Sequence, residues 1–458
     1  MAEAAVHAPP REGGAGVPLE RLTRFSYDRT GVTVFTALFV GTALGAYAFG
    51  PVPVQWLAQL LAIGAAGFLL LNRRLAPVPG LTPVVWLLGW ALVVTFANAM
   101  WRNYAGLMPQ LASSPYPVYV GLRFLNLLAF AAAAALTFWV LERGHRELVL
   151  RRIVWVGSVL AVAGIYIYFA QVNGWWEPGR TRLGTSGDAQ ATAFAYVFHR
   201  AMGTFREPSH FAEWLLMPFL LSFSFRGRGK RLHIAVLAVA LLLTGSLTGI
   251  VVGVLGGLAG ALILGNPFGA GRVKLVARLG LAGALAMLAF NAVVVSQRDS
   301  ANLFEIFRDR IMPVLNGGLG ESNRGYVYAY AGSRPLPFLG SGLGHAQLEF
   351  SSDTGNAIVS SFLNLYLNTW LSLGVVGITL MVLLLALPAV RLARHPRYRT
   401  EPDLLMLMAA YVGWLLMYTV HSEELTLVFG ILFGLVAWEG ARRIAPRPSA
   451  ETAPDPAA

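Results

Sequence analysis

The chain has 458 residues, of which 56% are apolar and only 13% charged, with a formal net charge of +12 at pH 7. That composition lies far from soluble globular usage and among polytopic membrane proteins. With no cysteine, disulfides, thiolate nucleophiles and Cys-ligated metals are excluded. The basic residues fall in short clusters between apolar spans, so the positive charge points to membrane orientation rather than to nucleic acid.

Residues 1–30 are polar, carry Pro9, Pro10, Arg11, Arg21, Arg24 and Arg29, and lack an apolar core of signal-peptide length; a cytoplasmic tail is expected there. Twelve apolar spans are expected, near 31–49, 54–71, 81–98, 118–140, 153–171, 210–225, 232–246, 248–265, 277–296, 362–387, 403–420 and 425–441, giving a transmembrane domain over 31–441 and a second tail over 442–458. With the N-terminus inside, this count puts Arg73/Arg74, Arg143/Arg146/Arg151/Arg152, Arg226/Arg228/Lys230/Arg231, Arg272/Lys274/Arg278, Arg391/Arg394/Arg397/Arg399 and Arg442/Arg443 all on the cytoplasmic side. Residues 232–265 are read as two helices because Thr244-Gly245-Ser246-Leu247-Thr248-Gly249 offers a turn. Fusing them would move the basic stretches 266–278 and 391–399 outside. The predicted fold class is therefore an all-α polytopic integral membrane protein.

Two long connections, 172–209 and 297–361, face the outer side under this topology, and long connections of this kind tend to be lids or binding elements. The first carries Trp175, Trp176, Arg180, Arg182, His199, Arg200 and Arg206. The second carries an amphipathic pattern over 302–310, then Glu321-Ser322-Asn323-Arg324-Gly325-Tyr326-Val327-Tyr328-Ala329-Tyr330. Arginine offers forked, permanently charged hydrogen bonds to phosphate, and aromatic faces pack on sugar rings.

The first connection closes on Gly203-Thr204-Phe205-Arg206-Glu207-Pro208-Ser209-His210-Phe211-Ala212-Glu213-Trp214. Pro208 suits the first turn of a helix, with Glu207 at the positive end of its dipole. Glu207, His210 and Glu213 or Trp214 then share one helical face. Singly, each reads as a helix start or an interfacial anchor; ionisable groups crowded at the mouth of a span point to chemistry.

The second connection ends in Pro335-Leu336-Pro337-Phe338-Leu339-Gly340-Ser341-Gly342-Leu343-Gly344-His345. No strand–turn–helix frame surrounds this glycine run, so it is read as a tight loop needing unusual backbone angles and not as a nucleotide site. Beyond it, Ser361, Asn364 and Asn368 form a polar stripe at helical spacing, suited to interhelical hydrogen bonds or to substrate. Gly374-Val375-Val376-Gly377 is expected to let neighbouring helices approach closely.

Four features occur in one order: Arg-Glu-Pro-Ser-His opening a span, a Thr-Gly-Ser turn between two short helices, Ser-Asn-Arg followed by Gly-Ser-Gly-Leu-Gly in an outer loop, and Asn-Leu-Tyr-Leu followed by Gly-Val-Val-Gly. Together they resemble the O-antigen polymerase and O-antigen ligase family over about residues 200–380. The Arg-Glu-Pro-Ser-His form is more similar to the exopolysaccharide and O-antigen polymerases. The ligase branch has His-Asn where this chain has Leu363-Asn364, and Ser-Arg where it has Ser246-Leu247.

The resemblance implies a GT-C-like glycosyltransferase in the bacterial inner membrane, its site facing the periplasm, working without metal or nucleotide sugar. The implied donor is a glycan on undecaprenyl pyrophosphate and the acceptor a sugar hydroxyl on a second lipid-linked unit. Membrane lipids and a chain-length regulator protein are the other implied partners. Such chemistry needs cations against the leaving pyrophosphate and a base for the acceptor hydroxyl. Arg324 and Arg206 are the first cation candidates, with Arg200, Arg180 and Arg182 behind them. Glu207, His210 and His345, in that order, are the base candidates, and Asn364, Tyr326 and Ser209 are candidate substrate contacts. An O-antigen ligase, a lipid-linked glycan flippase or transporter, and a sugar O-acyltransferase are the alternatives.

Overall fold

The computed structural model describes residues 19–182, 200–246, 248–265, 325–335, 337–420 and 424–442. These are mostly helical. The first helices are α1 (Leu19–Thr42), α2 (Val54–Leu71), α3 (Thr82–Trp101), α4 (Tyr116–Glu142), α5 (Arg146–Asn173), α6 (Pro208–Ser222) and α7 (Lys230–Leu243). A π-helical stretch Thr248–Gly256 runs into α8 (Gly257–Gly265), followed by α9 (Gly325–Gly332), α10 (His345–Asp353), α11 (Leu365–Arg394), α12 (Pro402–Met417) and α13 (Leu427–Ala441). Among the described residues the sheet content is one hairpin, β1 (Ala48–Phe49) against β2 (Val52–Pro53), turned by Gly50 in the left-handed region.

Among the described residues, six helical stretches are long and apolar enough to cross a membrane: α2, α3, α4, α5, Thr248–Gly265 and α11. Polar backbone cannot be left unpaired in lipid, so such apolar segments settle as helices whose hydrogen bonds close within the segment. Between apolar helices the tightness of contact is set by small side chains. On α13, Gly430 and Gly434 lie one turn apart against the backbone of Phe130 and Ala134 on α4, and a Cβ at either would collide with a carbonyl oxygen. Gly257 of α8 and Gly413 of α12 repeat the device, the first against Ala409 and the second against Gly253. Around these seams Phe130, Tyr411 and Trp414 stack on Phe429 and Tyr418 meets it edge-on, forming one buried aromatic cluster.

The described members of the basic clusters gather at one end of the bundle, while Arg272, Lys274, Arg278 and Arg443 lie outside the described residues. Arg146 is ion-paired with Glu439, Arg226 reaches Asp403 at 3.2 Å, and His395 donates from Nε2 to the Arg442 carbonyl at 2.9 Å. Arg123 lies toward the other end of α4, 20 residues before Arg143, which is roughly 30 Å along the axis.

Several boundaries differ from expectation. α1 begins at Leu19, inside the expected tail, and stops at Thr42 instead of 49, because the chain leaves the helix for the β1–β2 hairpin. α5 starts at Arg146, seven residues ahead of its expected span. The two-helix reading of 232–265 holds: Gly245 turns the chain at φ +54° between α7 and the helix from Thr248. The expected span 277–296 and the amphipathic pattern at 302–310 lie outside the described residues.

The glycine loop is as tight as expected. Gly340, Gly342 and Gly344 all have positive φ, and the loop docks on a break in α11 at Gly374, which has φ +66° and ψ −164°. Val375 donates its amide to the Phe338 carbonyl at 2.9 Å and Gly342 donates to that of Ser372 at 2.7 Å. Gly374 therefore admits the backbone of this loop, where a neighbouring helix was expected.

Candidate functional site

The site is built on the mouth where α1, α2, α4, α6 and α13 meet. Pro208 occupies the first turn of α6 and Glu207 its N-cap position, with extended backbone at φ −140° and ψ 150°. The helix start is pinned from the side: Phe211 stacks on Phe205 at 5.4 Å, and Trp214 donates from Nε1 to the Thr42 hydroxyl at 2.8 Å. Thr204 in turn donates to the Ala43 carbonyl at 2.6 Å, and Ala46 donates its amide to the Thr204 carbonyl at 3.0 Å. Thr181 and Arg182 clip to the same hairpin. The Arg182 amide donates to Ala46 at 3.1 Å, and the Thr181 hydroxyl bonds both the amide and the carbonyl of Ala48. Two stretches of the first long connection are thus fixed beside each other by backbone pairing.

Between these elements lies a cavity of about 280 Å³. Arg182, Arg206, His210 and Glu213 line it together with Gln55 and Gln59 of α2, Arg123 and Asn126 of α4, and Glu424 just ahead of α13. Arg182 donates from Nη1 to the Gly45 carbonyl at 3.0 Å. Burial, reinforced by the Arg206 charge, pulls its guanidinium down to about 10, so it remains ionised at neutral pH in surroundings that favour an incoming anion. His210 keeps its Nδ1 atom 3.8 Å from Glu207 Oε2. Glu213, one turn deeper, is 4% exposed.

The opposite wall is a polar chain. Glu424 is ion-paired with Arg123 and accepts from Asn126, and Gln59 donates to Asn126 Oδ1 at 2.6 Å. Arg123 also donates to the Tyr119 hydroxyl at 3.1 Å, which donates to the Gly344 carbonyl at 3.2 Å. The glycine loop and the cavity wall are joined through these bonds.

Arg206, His210 and Arg182 are thus brought together from the sequence candidates. Glu207 and Ser209 stand at the rim, Ser209 donating to Glu207 at 3.3 Å, and neither lines the cavity. Arg200 lies elsewhere, donating from Nε to the Thr244 carbonyl at 2.8 Å at the end of α7. Arg180 is buried beside Tyr47 and Glu177, where burial lowers it and those two neighbours raise it.

His345 is placed away from the cavity and fully buried. Its Nδ1 donates to the Ser341 carbonyl at 2.7 Å. Its Nε2 then accepts from the Tyr116 hydroxyl at 2.8 Å, and its ring stacks on Tyr104 with centroids 3.7 Å apart. Both nitrogens are committed to holding the glycine loop. Asn364 caps α11, accepting from the Leu367 amide at 2.9 Å and donating to the Thr419 carbonyl at 2.9 Å. With α11 starting at Leu365, Ser361 falls outside the helix and the expected stripe reduces to Asn368, which accepts from Gln347 at 2.7 Å. Arg324 and the side chain of Tyr326 lie outside the described residues.

Arg123, Asn126, Gln55, Gln59 and Glu424 are the cavity residues that the sequence reading passed over. Arg123 carried a signal, since an ionisable side chain inside an apolar span marks function by default. Among the described residues, no three His, Asp or Glu side chains stand close enough together to hold a metal ion. No protein-family model and no curated protein matches the chain.

Proposed function

We propose that the protein is a membrane glycosyltransferase of the polysaccharide-polymerase kind, moving a glycan from a polyprenyl diphosphate to the sugar hydroxyl of a second lipid-linked unit. The observation that carries this reading is the joint lining of one cavity by Arg182 and Arg206, by the ion pair Arg123–Glu424, and by His210 with Glu213. In such a transfer the acceptor oxygen attacks the anomeric carbon, its proton passes to a base, and the carbon–oxygen bond to diphosphate breaks with the electron pair leaving on the diphosphate. Arg182 and Arg206 neutralise that departing charge at fixed positions. His210 takes the proton, with the Glu207 carboxylate nearby to favour the imidazolium. Gln55, Gln59, Asn126 and Glu424 offer the alternating donors and acceptors that sugar hydroxyls require.

The cavity lies at the end of the bundle away from the basic clusters. Under the positive-inside rule that end is the outer one, which supports a periplasm-facing site in the inner membrane, supplied by lipid-linked substrate without nucleotide sugar. The test is to incubate the purified protein with undecaprenyl-diphosphate-linked repeat units and follow chain length by gel. A ladder of lengthened glycans is expected. Unaltered substrate, or substrate moved across a vesicle membrane without lengthening, overturns the reading in favour of a carrier.

A further inference from the structure

From the basic end of the bundle α5 and α7 run side by side, joined where the Ser158 hydroxyl meets His233 Nδ1 at 2.7 Å. Along α5, Trp155, Val159, Val162 and Tyr166 recur at three- and four-residue steps and so share one stripe. All four are exposed. Trp155 leans across to α7, its ring meeting that of His233 edge-on with centroids 5.0 Å apart, so this stripe lies along the seam between the two helices. On α7, Leu232 beside His233 and Val239 two turns further are exposed as well, with Val236 between them half-buried. From Trp155 to Tyr166 the stripe advances 11 residues, roughly 16 Å of helix and about the hydrocarbon depth of one leaflet.

Charge heads this stripe. Arg151 and Arg152 lie one turn before Trp155, and both are exposed. Among the described residues neither meets a carboxylate; Glu147, a turn earlier, is paired with Arg146 at 2.9 Å. Arg231, next to Leu232 on α7, is exposed too. An apolar face on its own accepts any hydrocarbon, but guanidinium groups at the depth of lipid head groups, with an acyl-length stripe beyond them, select a lipid that carries phosphate charge. We propose that the lipid-facing seam of α5 and α7 seats an anionic phospholipid of the cytoplasmic leaflet, its phosphate on Arg151 and Arg152 and an acyl chain along Trp155, Val159 and Val162. The seat lies at the end of the bundle away from the cavity. It rests on the orientation set by the basic clusters and is independent of the glycosyltransferase reading.

The experiment is native mass spectrometry of the full-length protein in detergent micelles titrated with cardiolipin, whose two phosphates match the two guanidinium groups. Saturable cardiolipin binding to the monomer is expected, withstanding excess phosphatidylcholine and excess inorganic phosphate. Arg151→Gln/Arg152→Gln should weaken it about thirtyfold, the scale of two arginine attractions to phosphate at a membrane surface. Trp155→Ala should weaken it about tenfold through lost apolar contact. Arg151→Lys/Arg152→Lys, which keeps the charge, should bind nearly as the parent does and so report an intact fold. Arg391→Gln/Arg394→Gln, which removes the same charge elsewhere at the basic end, should leave binding unchanged. Equal loss in the two charge-removing pairs marks diffuse attraction and overturns the seat. Parent affinity in Arg151→Gln/Arg152→Gln or in Trp155→Ala overturns it too, as does displacement by inorganic phosphate or the appearance of dimers in place of lipid-bound monomer.

Discussion

Arg182 and Arg206 line one cavity from two stretches of the same connecting segment, and the first of them is held below its ordinary range by burial and by the charge of the second. For a base, the sign is unfavourable to the empty fold. The penalty is present below about 10 and is relieved only as pH rises from there toward the ordinary guanidinium range. Two arginines lining one cavity, one of them held down by burial and by the charge of the other, make surroundings that favour an incoming anion at a cost in stability.

It follows that Arg182→Gln should leave thermal stability within about 1 kcal/mol of the parent, the lost hydrogen bond to Gly45 offsetting the relieved penalty. Transfer should fall by about a hundredfold or more. Arg182→Lys should restore little, since an ammonium lacks the planar fork. Calorimetric titration with inorganic pyrophosphate, run beside the transfer assay, checks this, and unchanged pyrophosphate affinity in Arg182→Gln would remove the residue from the leaving-group site.

The geometry reorders the base candidates. His210 lines the cavity and Glu207 does not. His210→Ala should therefore lower transfer by about 10²–10⁴ with donor binding retained. Glu207→Gln, which removes only a charge 3.8 Å from the ring, should cost no more than about fivefold, the scale of a single partly exposed charge contact. Single-turnover rates separate the two effects. If Glu207→Gln proves the more damaging variant, the carboxylate takes the role.

His345 should behave as a structural residue. Its ring is buried, stacked and hydrogen-bonded at both nitrogens, so His345→Ala is expected to destabilise the fold by about 2–4 kcal/mol through a cavity and unpaired polar groups. Burial lowers its folded pKa below the ordinary 6.5. The unfolded chain then binds the proton first as pH falls, so stability is lost from pH 6.5 downward through the folded value. Denaturation followed between pH 5 and pH 8 should show that loss in the parent and a shallower one in His345→Gln.

The bundle ends can be told apart chemically. Ser333, just after α9, and Thr400, just before α12, are both exposed. Cysteines at these positions in otherwise intact cells with a permeabilised outer envelope should react oppositely with a membrane-impermeant maleimide, Ser333→Cys labelling and Thr400→Cys remaining silent. Labelling of Thr400→Cys alone would turn the molecule over and put the cavity on the cytoplasmic face.

Local chemistry made much of this molecule legible in one dimension. Apolar run length located α2 to the residue, Pro208 marked the start of α6, and Thr244-Gly245-Ser246 marked the turn after α7, because each rests on backbone preferences that neighbours in the chain decide. The alternation of Gly340, Gly342 and Gly344 likewise announced positive φ before any contact was known. The cavity was only half visible in the same way. Arg206 and His210 stood out because they crowd one helix start, whereas Arg123, Asn126 and Glu424 lie 301 residues apart at their extremes and become neighbours only when α4 packs on α13 through Gly430 and Gly434. His345 and Asn364 carried the right side chains for chemistry, and it was tertiary packing that committed their hydrogen bonds to the glycine loop and to the cap of α11. A sequence records which groups can ionise or bond; which of them keep that capacity free depends on what the folded chain brings within 3 Å of them.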